Sequence, residues 1–172
     1  MKKPPSLVDP VNIGNMIRTA RATPSGCFVE VGVYKGGTAW HLDRLARRQN
    51  RALFLYDTFE GIPFQDVVDH HKVGDFGDTD YTTVAGLFPK ATVVKGVFPA
   101  SAVKMGPVAF VHLDCDQYHS IKNAVRYLLP WVVSGGVLWF DDSPVLVGAR
   151  KAVHELFGNT VQEMNGKHFV QL

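Results

Sequence analysis

The chain has 172 residues, 46% of them hydrophobic and 20% charged, which is enough for one domain with a sizeable core. Its 18 basic and 16 acidic side chains leave a net charge of +2 and no footprint for nucleic acid or an anionic membrane, and no apolar run approaches the roughly 20 residues of a membrane span. MKKPPS lacks an apolar signal core, and Cys27 and Cys115 sit inside apolar runs without a disulfide framework, so a reducing, cytoplasmic setting is expected.

Met1 to Val8 reads as a loose tail. Asp9-Pro10 is an N-cap followed by a first helical residue, and Ile13, Met16, Ile17 and Ala20 give that helix one apolar stripe. CFVEVGVYKGGTAW (Cys27 to Trp40) then reads as strand, glycine turn, helix, with the strand over Phe28 to Val33 and the helix opening at Thr38. The helix start can hold an anion because its first amides lack partners within the helix. Tyr34 stands where a dinucleotide site needs a glycine, and a P-loop lysine is missing before Thr38. The turn therefore suits a smaller anion, such as the carboxylate of S-adenosylmethionine (SAM), with Glu30 placed to face the ammonium end.

The second strand, Ala52 to Tyr56, ends at Asp57, well placed to accept from ribose hydroxyls. Thr58 to Tyr81 is a long polar loop, expected to close part of the site. Its His70-His71 pair reads as solvated. A short helix over Tyr81–Phe88, a third strand over Ala91–Lys95 and a weak helix over Pro99–Val103 follow. VAFVHL (Val108 to Leu113) is a buried strand ending in Asp114-Cys115-Asp116, with His112 a core histidine. An amphipathic helix carries Ile121, Ala124, Val125, Leu128 and Leu129; Ser134-Gly135-Gly136 turns into the strand Val137–Phe140, which ends in Asp141-Asp142. A last helix carries Ala149, Ala152, Val153, Leu156 and Phe157, and the chain closes in a hairpin about Asn165-Gly166. The sum is a single α/β domain: a Rossmann-like, mainly parallel sheet with helices on both faces and a C-terminal antiparallel hairpin.

Ligands of such sheets bind beyond the carboxyl ends of the strands. Asp114, Asp141 and Asp142 meet there, and three carboxylates repel one another unless a cation or protons intervene. Oxygen-only donors suit Mg²⁺ or Ca²⁺. Asp116 reads instead as a cap of the helix beginning near Tyr118.

FVEVGVYKGGTAW, YDTFEGIP, GDFGDTDYTTVAGLFPKATVVKGVFP, VHLDCDQYHSIKNAVRYLLPWVVSGGVLWFDD and GARKAVHELF, in this order, resemble the macrocin O-methyltransferase family of SAM- and Mg²⁺-dependent class I enzymes acting on sugar hydroxyls of natural products. The resemblance implies that Asp114, Asp141 and Asp142 hold the metal. It implies that Glu30, Gly32 and Thr38 hold the methionine end of SAM, with Tyr34 and Gly36 in the same turn. Asp57 would take the ribose, Thr58 beside it, and Asp75-Phe76 and Gly96-Val97 would lie near adenine. The acceptor is expected to be a small-molecule hydroxyl, on a sugar or phenolic natural product. Asp114 and His119 are the candidate bases, with His41 and Lys35 behind them. His119 stands where the family has Glu or Ser, and the longer N-terminal segment that helps cover the substrate in that family is missing, which points to a homodimer completing the site. Two alternatives stay open: a metal-dependent glycosyltransferase using Asp114-x-Asp116, and a non-catalytic SAM-binding protein.

Overall fold

The computed structural model describes residues 3–172. Five apolar runs form parallel strands: β1 Cys27–Val31, β2 Leu53–Asp57, β3 Thr92–Lys95, β4 Val108–Leu113 and β5 Val132–Phe140. Every residue of β1 and β4 is buried, as continuous apolar strands covered on both faces require. The helices are α1 Pro10–Ala22, α2 Ala39–Arg48, α3 Tyr81–Leu87, α4 Tyr118–Leu128 and α5 Val147–Phe157. The chain closes with a hairpin, β6 Gln162–Met164 and β7 Lys167–Gln171. Asn165 and Gly166 both take positive φ, 51° and 70°, the geometry of a two-residue I′ turn.

The sheet order is β3-β2-β1-β4-β5-β7-β6, with β7 antiparallel to both neighbours. Alternation along the strands feeds two cores. Val29, Val111 and Leu138 pack with Ile121, Ala124, Val125 and Leu128 of α4 and Ala149, Ala152 and Val153 of α5. Phe28, Phe110 and Trp139 pack on the other face with Met16 and Ala20 of α1 and Leu42, Leu45 and Ala46 of α2. Burying each large apolar side chain contributes about 1.5–3 kcal/mol. The order of strand addition reverses between the parallel strands β1 and β4, so the crevice for a ligand opens at their carboxyl ends.

Four local expectations change. β1 stops at Val31 because Gly32 turns at φ 92°, where a side chain would collide with the carbonyl of Asp114. Ser134-Gly135-Gly136 is strand, not turn: β5 begins at Val132, and the Gly135 N–H donates to the Leu172 carbonyl at 2.5 Å. Pro99–Val103 makes a turn rather than a helix, closed by Ser101 N–H to the Val97 carbonyl at 3.0 Å and Ala102 N–H to Pro99 at 2.9 Å. The segment ahead of α1 is not a loose tail over its described part. Pro4 is buried, and Pro5 and Ser6 lie so close over Gly37 that no side chain would fit there. Met1 and Lys2 lie outside the described residues. Among the described residues no helix is long and apolar enough to cross a membrane.

Candidate functional site

The glycine turn is held from β2. Asp57 Oδ2 accepts from the N–H groups of Val33 and Tyr34 at 2.7 and 2.8 Å, and its Oδ1 accepts from Phe59 N–H at 2.6 Å. One carboxylate thus fixes both the turn after β1 and the start of the loop after β2. Tyr34 takes φ 51°, and its hydroxyl donates to Asp78 at 2.7 Å, while Thr79 Oγ1 donates to the Tyr34 carbonyl at 2.7 Å. The long loop is therefore tied down at its far end to the same turn.

Beneath the turn runs a buried polar line that the sequence did not reveal. Thr38 Oγ1 donates to Glu30 Oε1 at 2.6 Å, so Thr38 starts α2 without capping it. His112 Nδ1 meets the same oxygen at 2.9 Å, and its Nε2 lies 3.8 Å from Asp141 Oδ1. Lys167 Nζ donates to Asp141 Oδ2 at 2.6 Å. Carboxylate, imidazole, carboxylate and ammonium alternate. Burial opposes a charged His112, but the carboxylates of Asp141 and Glu30 outweigh it and hold the imidazole pKa well above its ordinary value. Burial would likewise raise Asp141, yet His112 and Lys167 prevail and hold it below the usual range.

Glu30 and His112 are fully buried. Glu30, expected to face a ligand's ammonium group, does not itself line the cavity described below; its Oε1 accepts from Thr38, and its Oε2 is buried without a hydrogen bond. His112 fills the core position expected of it.

Asp114, Asp116 and Asp142 bring one oxygen each to within 4.8 Å of one another; Asp141, of the expected set, lies beside Asp114 and is bonded to Lys167. Burial first, then the charge of Asp141, pushes the Asp114 pKa well up. Burial first, then contact with Asp142, does the same to Asp116. Asp116 is no cap. Gln117 holds the N-cap position of α4 without a side-chain bond, and the Tyr118 N–H is taken by Asp69 Oδ1 at 2.9 Å. Asp69 lies 49 residues upstream on the long loop, a separation that no local pattern reports.

His119 projects towards that loop, with Nε2 2.9 Å from Asp66 Oδ2, and is 52% exposed. Among the described residues it does not line the cavity, and neither do His41 or Lys35, the latter paired with Asp78. Asp75 and Gly36 also stay outside. Asp75 accepts from the Lys72 N–H at 2.8 Å, and Gly36 packs against the Phe88 ring.

A cavity of about 450 Å³ opens over the carboxyl ends of β1, β2 and β4. Gly32, Tyr34, Thr38, Asp57 and Thr58 line one end, with Phe76, Gly96 and Val97 beside them. Asp114, Asp116, Asp141, Asp142 and Lys167 line the other. Pro5 to Asp9 and Asn12 form a wall assigned to no site by sequence reading, and Gly61 to Pro63 and His71 bring in the long loop.

A family model described as Macrocin-O-methyltransferase (TylF) matches residues 12–164. The chain is 25% identical over 155 residues to the 8-demethyl-8-(2,3-dimethoxy-alpha-L-rhamnosyl)-tetracenomycin-C 4'-O-methyltransferase of Streptomyces olivaceus, covering 77% of this chain and 58% of that protein. It thus spans less than two thirds of this relative's length. Among solved structures, the O-methyltransferase NovP superposes with a TM-score of 0.78 at 20% identity, covering 94% of this chain and 78% of its own. The calicheamicin methyltransferase CalS11 superposes with a TM-score of 0.79 at 18% identity, covering 94% and 77%. These two likenesses establish the fold.

Proposed function

The chain belongs to the macrocin O-methyltransferase family, and from that membership we propose that it transfers a methyl group from SAM to a hydroxyl oxygen of a sugar-bearing small molecule. The carrying observation is one cavity that joins the Asp57-held glycine turn to a cluster of three carboxylates. Bound SAM supplies an electrophilic methyl group on a sulfonium that is already a good leaving group. The protein's part is then alignment and proton removal. The Gly32–Thr38 turn would take the methionine end and Asp57 the ribose hydroxyls on its remaining lone pairs. Phe76, Gly96 and Val97 would flank the adenine.

A hard divalent cation fits the other end. The donor set is all carboxylate oxygen, and these carboxylates repel one another without compensation. Aspartates of this cluster would hold Mg²⁺, which lowers the pKa of a nearby hydroxyl. Asp114 is the proposed base: it lines the cavity at the end of β4, among the carboxylates that face the acceptor end. Asp114 would take the hydroxyl proton, and bound SAM would supply the methyl group and leave as the thioether S-adenosylhomocysteine. His119 is withdrawn from this role because Asp66 holds it outside the cavity.

The test measures S-adenosylhomocysteine (SAH) released from SAM against a panel of glycosides and phenols, with EDTA and with added Mg²⁺. Acceptor-dependent release that requires the cation is expected. Release unaffected by EDTA would remove the metal, and tighter binding of NAD than of SAM would remove the methyltransferase reading.

A further inference from the structure

His71, read from the sequence as solvated, lines the cavity, and among the described residues it is the one histidine that does. Its side chain is 24% exposed. The loop that carries it is closed on itself by two backbone bonds: Ile62 N–H donates to the Asp75 carbonyl at 2.9 Å, and Gly74 N–H donates to the Ile62 carbonyl at 3.0 Å. This closed lobe docks on the start of α4. Gln117, fully buried, donates from Nε2 to the His71 carbonyl at 3.2 Å, and Asp69 takes the Tyr118 N–H. The His71 backbone is thereby fixed against the turn that carries Asp116, at the carboxylate end of the cavity.

The ring is held as well. It packs edge-on against Phe76 with centroids 4.9 Å apart, and Phe76 packs edge-on against Tyr34 at 5.9 Å. Nδ1 lies 3.7 Å from Asp75 Oδ2, and Nε2 has no hydrogen-bond partner among the described residues. A neutral imidazole whose Nδ1 faces a carboxylate keeps its proton there and leaves the lone pair of Nε2 free to accept. Backbone anchor, ring packing and tautomer all leave Nε2 as the atom the loop offers to a ligand.

We propose that His71 is the residue by which the long loop binds the acceptor, its Nε2 accepting from an acceptor hydroxyl, and that Gln117 is the positioning residue that holds it there. This rests on the acceptor of the proposed function and leaves proton removal to Asp114. A group that loses its hydrogen bond to the acceptor loses selectivity with it, so the effect belongs to the acceptor and not to SAM.

The experiment measures SAH release by the full chain, with saturating SAM and added Mg²⁺, against methyl α-L-rhamnopyranoside, p-nitrophenyl β-D-glucopyranoside and catechol. SAM affinity is read calorimetrically on the same samples. For a probe that turns over, H71A should lower kcat/KM by at least about tenfold, mainly through KM, with SAM affinity within about twofold of wild type. H71Q, whose amide oxygen accepts in place of Nε2, should recover part of that loss. Q117L should raise KM in the same direction, and H71A/Q117L should be no worse than H71A, because Gln117 acts through His71. A KM in H71A within about threefold of wild type overturns the proposal. So does a weakening of SAM that matches the loss in kcat/KM, which would put His71 at the cofactor. Losses that multiply in the double variant remove Gln117 from its role. If SAM binds and no probe turns over, the proposal falls together with the acceptor of the proposed function.

Discussion

Asp57 organises with one carboxylate the end of the cavity proposed for SAM. It gathers the amides of Val33, Tyr34 and Phe59, so removing it leaves three donors without their acceptor. Each orphaned donor costs about 1–3 kcal/mol where water cannot replace the bond. Asp57→Ala should therefore lower stability and weaken SAM by at least about tenfold, a loss of about 1.4 kcal/mol or more. Calorimetric titration with SAM reads this directly, and wild-type affinity would take Asp57 out of the site. His168 makes the pH prediction. Burial holds its pKa below the ordinary 6.5, so the folded chain binds fewer protons here than the unfolded chain does. Its contribution is present above pH 6.5 and lost as pH falls below that value. Between pH 7 and pH 5.5 the wild type should lose stability relative to His168→Gln, a difference that isolates this imidazole from His112, Asp114 and Asp116, whose raised pKa values act in the opposite sense. A difference that does not change with pH would show that the imidazole does not titrate on unfolding.

At the level of elements, α4 is capped by a residue of another segment. Asp69 Oδ1 receives the Tyr118 N–H, and Asp69 Oδ2 receives the Asp66 N–H at 2.9 Å. Gly148 in α5 leaves room for this carboxylate, since a side chain at that position would collide with Asp69 Oδ1. Loop, α4 and α5 therefore meet at one group. Asp69→Ala should cost about 0.5–2 kcal/mol in urea denaturation, the range for a lost N-cap. It should also raise amide exchange through residues 58–80. Gly148→Ala should cost about 1–3 kcal/mol by overpacking the same spot. If amide exchange in the loop is unaltered in both variants, Asp69 does not anchor it.

For the whole molecule, the cavity lies where the strand order reverses, and its walls come from the N-terminal segment, the ends of the five parallel strands, the long loop and β7. A ligand there couples to the entire fold. SAH at a hundred times its dissociation constant should stabilise the native state by about 2.7 kcal/mol. For a chain of this size that is a rise of about 5–10 °C in melting temperature. NAD at equal concentration should give none. Amide exchange at residues 6–8 should slow with SAH bound, because Pro5 and Ser6 cover the turn at Gly37.

What the sequence alone determined was local or periodic. Apolar runs, helical stripes, Asp9-Pro10, the glycine turn and Asn165-Gly166 each place an element by steric and hydrogen-bonding rules acting over a few residues. The alternation of strands and helices then gave the parallel sheet and put Asp57, Asp114, Asp116, Asp141 and Asp142 at its carboxyl edge. Which way each acidic side chain turns was beyond such rules. Asp141 is claimed by Lys167, Glu30 by Thr38 and His112, and the end of α4 by Asp69, partners 26, 8, 82 and 49 residues away. A carboxylate goes to the strongest donor within about 3 Å of it, and only the packed sheet, with its β5–β7 register, decides which donors arrive there.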